Sequence, residues 1–276
     1  MTIPVVFSAL GLRMQRIAIK YIESFEYKTQ ALVRFFHARM DGLILGWIGL
    51  MLLASLPRIL FPATPVHGMQ DLVEVMLPYG CIAIAPILGY RLAAAGFPHA
   101  PLLQRGGSRR FNSGKWRQLD PHDARMQADF GPTGFMASLM VGMLLNVPFR
   151  AMEFLLAVPA MNSNAPTWGT TIFHIMAADV CLMSFLYMVC FVLALRTIPL
   201  FPRMLAIAWG VDIAMQFVIA NAVAASPDLP GDVAMAVNDL LHGNVRKVLI
   251  SITVWLPYLL LSRRVNLTYR QRVAIA

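Results

Sequence analysis

Long apolar stretches recur along the chain, separated by shorter polar connections. Six of them approach the ~20 residues a helix needs to cross a hydrocarbon core. They are Leu43–Phe61, Leu72–Ala95, Thr133–Val158, Thr170–Leu195, Met204–Ala224 and Val248–Ser262. Lipid offers backbone groups no hydrogen-bond partners, so continuous runs of this kind have to be helices. A β-barrel would show short alternating segments instead. The pattern therefore predicts an all-α, polytopic membrane protein with about six transmembrane helices. Pro86, Pro148 and Pro257 fall inside runs, which membrane helices tolerate, usually with a kink. The sixth run is short. Arg246 and Lys247 before it, and Arg263 and Arg264 after it, would lengthen it if their stems lie along the apolar layer and their heads reach the two interfaces. A re-entrant segment is the alternative.

Ahead of the first run, Ile17–Met40 has a helical repeat of its own. Ile17, Tyr21, Phe25, Leu32, Phe35 and Phe36 share a broad apolar face, with Lys20, Glu23, Lys28, Arg34 and Arg39 around the rest. A basic amphipathic helix beside a crossing lies at the membrane surface; a docking site for a partner is the sharper reading. The chain thus divides into an N-terminal amphipathic segment (1–42), two transmembrane helices (43–95), a basic loop (96–131) and a four-helix membrane region with a polar tail (132–276). The two halves differ in loop length and charge, so they do not form an inverted repeat.

Composition strengthens the membrane reading. Hydrophobic residues make up 58% of the chain and charged residues 13%, about half the charge of a soluble domain. Mean hydropathy is +0.63. The formal net charge of +9 has a direction. Lys and Arg crowd the segment before the first run, the loop between the second and third (Arg105, Arg109, Arg110, Lys115, Arg117, Arg125), the loop with Arg196 and Arg203, and the tail. The alternating connections 62–71 and 159–169 have none, and the fifth connection has only Arg246 and Lys247. Positive loops stay cytoplasmic, which predicts a multi-pass membrane protein with both termini inside. The 96–131 loop is expected to be extended and to hold anionic headgroups through Arg105, Arg109, Arg110, Lys115 and Arg117. "RGGSRR" lacks the spacing and context of a phosphate-binding loop, and no basic soluble domain is left over for nucleic acid. The order of the first residues, apolar and then basic, is not that of a cleavable signal.

Candidate chemistry lies in the ionisable groups inside the runs, where charge is costly and by default functional. Arg150 and Glu153 are three apart on the third run, a spacing that allows them to neutralise each other. Asp179 sits in the fourth run and Asp212 in the fifth, with Gln216 one turn on. Either aspartate is within the repertoire of Arg150 or of amide donors. If Arg150, Glu153, Asp179 and Asp212 faced one cavity, they would resemble a proton or ion path. His174 lies inside the fourth run, but its possible haem partners His67 and His242 fall in connections, so no haem is expected. No metal or other cofactor is expected either. Cys81, Cys181 and Cys190 read as buried small apolar residues. No motif sets a nucleophile against a base.

The end of the sixth run carries a resemblance. "WLPYLLLSRRVNLTY", with Trp255, Pro257, Tyr258, Ser262, Arg263, Arg264, Val265, Thr268 and Tyr269, resembles the C-terminal signature of a bacterial inner-membrane family, domain of unknown function 2569. "LALRTIPLFPRML" is similar to that family's basic turn, through Arg196, Phe201 and Pro202. Asp179 matches the acidic residue often found before that turn. The similarity spans about residues 131–270 and implies topology, not activity; the first two runs and the basic loop depart from the family's four-helix form. Three function classes stay open. The first is a non-catalytic membrane subunit or scaffold packing against other membrane proteins. The second is a small-solute or proton-coupled transporter using Arg150, Glu153, Asp179 and Asp212. The third is a membrane enzyme acting on lipid.

Overall fold

The computed structural model describes residues 3–97 and 116–274, with side chains from Ser24 onward. Eight helices follow in chain order: α1 (Ile3–Leu60), α2 (Met69–Gly96), α3 (Pro121–Met126), α4 (Phe135–Ala157), α5 (Thr167–Leu195), α6 (Phe201–Ala224), α7 (Gly231–Leu261) and α8 (Arg263–Arg270). Two short strands, β1 (Trp116–Gln118) and β2 (Arg272–Ala274), pair antiparallel, Trp116 opposite Ala274. Six of the helices are long and apolar enough to cross a bilayer, one for each of the six runs.

Helix α5 is the axis. Most of its residues are apolar and most are buried, as in a helix that sees protein on nearly every side. α2, α4 and α6 surround it. Gly89 sets the closest approach: a Cβ there would stand 2.5 Å from the backbone oxygen of Phe185. α7 leans on α6, and α1 on α2 and α4, each along a narrow strip.

The segment expected as a separate surface helix is continuous with the first crossing. α1 runs through Met40 and bends at Arg39, whose φ/ψ of −122°/15° leaves the helical region. One stripe, Thr29, Phe36, Met40, Met51 and Ser55, is buried on both sides of the bend. Leu32 and Phe36 face inward as the periodicity implies, and Phe36 meets Phe191 edge-on at 5.2 Å. Phe25 and Phe35 remain exposed. The side chains of Ile17 and Tyr21 lie outside the described ones.

The sixth crossing is not confined to Val248–Ser262. α7 begins at Gly231, so Arg246 and Lys247 sit inside a helix rather than in a connection. Its first half was hidden from hydropathy by Asp232, Asn238, Asp239, His242 and Asn244. The part of the 96–131 loop that is described, from Trp116 on, is folded rather than extended: it forms β1 and α3, and Ala124 is buried. Cys190 is buried, whereas Cys81 is exposed on the flank of α2.

The connections at the two ends of the bundle are tied together. At one end Ala63 N–H donates to Ala160 O at 2.8 Å, and the buried Asn162 donates to Pro65 O at 2.9 Å. At the other, richer in arginine, α7 stops at Ser262, whose extended backbone (φ −60°, ψ 127°) separates it from α8. Asn266 Nδ2 donates to the carbonyls of Leu260 and Ser262 at 3.0 and 2.9 Å, covering acceptors that a helix end leaves free.

Candidate functional site

Arg150 of α4 reaches into the bundle between α5 and α6. Its Nη1 donates to Asp179 Oδ2 at 2.8 Å. Its Nη2 donates to Asp212 Oδ1 and Oδ2 at 2.7 and 2.8 Å. Tyr187 OH donates to Asp212 Oδ2 at 2.9 Å. Gln216 Nε2 lies 3.5 Å from Asp212 Oδ1, and Asn244 of α7 extends the chain to Gln216 Oε1 at 3.4 Å. The side chains of Arg150, Asp179 and Asp212 are 11%, 7% and 0% exposed. Helical rise puts Asp179 ~18 Å from the start of α5 and Asp212 ~17 Å from the start of α6, close to the middle of an apolar layer ~30 Å thick. One guanidinium thus binds three helices to one another at their least hydrated level.

Two sequence candidates stand apart. Glu153 does not pair with Arg150. A step of three along a helix turns it ~60° away from Arg150, toward α7, where it pairs with Lys247. Arg150 is long enough to prefer two carboxylates on other helices. His174 faces outward, its Nδ1 against the carbonyl of Thr170 one turn back at 2.8 Å. Tyr187 and Asn244, missed in the sequence, belong to the centre. Tyr187 lies eight residues, about two turns, beyond Asp179, and that spacing is the signal that would have found it. Among the described residues no group of three or more His, Cys, Asp or Glu is placed to hold a metal ion.

The signature residues build a second constellation, at the arginine-rich end. Arg264, only 14% exposed, pairs with Glu26 of α1 and donates to Thr133 Oγ1. Arg263, exposed, lies 3.3 Å from Asp129. Val265 and Tyr269 are fully buried, and Tyr269 OH donates to Ala194 O at 2.9 Å. Burial pushes the Tyr269 phenol well above its ordinary range, so it remains a neutral donor. Thr268 Oγ1 accepts from Gly131 N–H and Thr29 Oγ1 from Gly134 N–H, both at 3.0 Å. Gly131 and Gly134 have φ of 113° and 65°, a region where a side chain is strained. Trp255 and Tyr258 meet edge-on at 6.0 Å beside Phe135, Pro257 is exposed inside α7, and Ser262 makes the break. Arg272 stacks on Trp116, 4.6 Å from the ring centroid. Arg117 is exposed on β1; Arg105, Arg109, Arg110 and Lys115 lie outside the described residues.

An apolar cleft of about 320 Å³ opens near the opposite end, bounded by Met161, Trp168, Ile172, Val237 and Leu240. Asp232 is its one acidic lining residue, with no base beside it in the lining.

These features define an all-α, multi-pass membrane protein with a charged centre at mid-depth. Compared with known proteins, the chain matches no family model, no curated protein and no solved structure.

Proposed function

We propose that the protein is a non-catalytic integral subunit of a bacterial inner-membrane complex, with both termini cytoplasmic and its outer helices packed against other membrane proteins. The seam between α4 and α7 carries this reading. Glu153 and Lys247 pair there with side chains 46% and 59% exposed, and Arg246 and His242 stand exposed nearby on α7. Lys247 is fourteen residues from Leu261, ~21 Å of helix, so the pair falls within the apolar layer. Charge facing hydrocarbon is expensive; a neighbouring membrane helix with polar groups relieves that cost. The test is extraction in mild detergent followed by measurement of mass and composition. A stoichiometric partner should accompany the wild type and be lost from the folded Glu153→Leu/Lys247→Leu double variant. A wild type that leaves the membrane alone, as a stable monomer, overturns the reading.

A transport role is the second reading, favoured by the surplus carboxylate at the Arg150 centre. It predicts that Asp212→Asn abolishes flux in reconstituted vesicles while the protein still assembles.

A further inference from the structure

Two carboxylates meet a single guanidinium at the Arg150 centre, so ionising both leaves one negative charge without a partner. Among the described residues no second positive charge lies within reach to make up the difference. On α4, Glu153 is turned away and engaged by Lys247. On α5, Tyr187 donates to Asp212, Cys181 lies near Asp179, and His174 faces outward against Thr170. α2 brings Cys81 close to Cys181, α6 brings Gln216, and α7 brings the neutral Asn244. An uncompensated ion in a low-dielectric interior is strongly penalised, and such a group neutralises instead.

The two acids are not equivalent. Both oxygens of Asp212 face Arg150 Nη2, Tyr187 OH donates to one of them, and the side chain has no exposed surface. Those donors suit a carboxylate. Asp179 is held by one oxygen only. Its Oδ1 is buried and has no hydrogen-bond partner, an arrangement that leaves an ionised oxygen unsolvated. Two more buried oxygens on the same pair of helices, Asn146 Oδ1 one turn along α4 from Arg150 and Ser184 Oγ on α5, are also without partners.

We propose that Asp179 Oδ1 is the binding site for a single exchangeable proton in the membrane interior. With the proton bound, an Oδ1–H bond exists, Arg150 and Asp212 keep their opposite charges, and the centre is neutral. On release that bond breaks, the proton leaves for the aqueous phase, and Asp179 becomes a second carboxylate competing for Arg150. This assignment goes beyond the subunit reading and does not depend on it, because a subunit that buries a proton and a carrier that moves one would both contain the site.

Infrared spectroscopy of the full chain in lipid nanodiscs tests the assignment. The folded wild type at neutral pH should show a carboxylic-acid C=O band that shifts on ¹³C-labelling of aspartate and again in heavy water. The band should disappear in Asp179→Asn and persist in Asp212→Glu, which keeps the second negative charge beside Arg150. Should Asp179→Asn not fold, Asp179→Glu keeps the acid and must remove the band from the aspartate-labelled set. Absence of the band from the wild type at neutral pH overturns the proposal, as does its survival in either position-179 variant. None of these outcomes depends on partner binding or flux.

Discussion

Asp212 and Asp179 share a guanidinium but differ in everything else that reaches them, and Arg150 is the residue on which both depend. Removing it strands the buried Asp212 carboxylate and takes from Asp179 its one donor. Breaking a buried ion pair from one side costs about 3–5 kcal/mol, so Arg150→Leu is expected to lose most of the protein's stability, read as a fall in melting temperature or loss of monodisperse protein in a fixed detergent. Arg150→Lys keeps the charge but cannot offer two forks, and should melt between the two. The Glu153→Leu/Lys247→Leu double variant is the contrasting case. It removes both members of a pair that faces the apolar layer, and replacing an ion pair in such a medium by apolar residues is often neutral or stabilising, so its melting should not fall below the wild type. Equal damage from Arg150→Leu and the double variant would contradict this division of roles. The importance of Arg150 and both aspartates was legible from their cost inside apolar runs. Their partnership was not, because a three-residue spacing favours the local pair with Glu153, and only the packing of α4 against α5 and α6 supplies the competing acids.

At the scale of elements, the contact of α2 with α5 rests on the absence of a side chain at Gly89. A methyl group there meets a backbone oxygen, which cannot swing aside. Overpacking of this kind costs about 1–3 kcal/mol, and Gly89→Ala should lower the melting temperature. Gly169→Ala is the control: its nearest obstacle, at 2.6 Å, is the sulfur of Met161, a flexible side chain that can move, so its loss should be smaller. Reversal of that order would remove Gly89 as the setter of the α2–α5 distance. Four crossings were readable from hydropathy with ends close to those found, since α2, α4, α5 and α6 are apolar along most of their length. α7 was readable only in its second half. Val237, Leu241 and Val248 are its buried positions through that stretch, and their helical spacing was the overlooked sign that the helix starts before the apolar run.

The whole molecule is a bundle with one arginine-rich end and one end tied by neutral loops. The proposed orientation makes a direct prediction. In intact spheroplasts of a variant lacking the native cysteines, a membrane-impermeant maleimide should label Ser163→Cys, at the neutral end, and leave Arg125→Cys unlabelled until the membrane is opened. The opposite pattern would invert the layout. The charge asymmetry between loops was plain in the sequence; the folding of that end was not, because α8 and the β1–β2 pair are too short for periodicity to announce. Thr268 meets Gly131 across 137 positions of the chain, and Arg264 meets Glu26 across 238. Every crossing therefore leaves the ribosome before the residues that seal the bundle's arginine-rich end exist. During synthesis Gly131 N–H must wait, in contact with water or an insertion factor, until Thr268 emerges. A chain halted at Leu261 would own all its spans and still lack its fastening, which makes membrane insertion and final closure two separable events in the life of this protein.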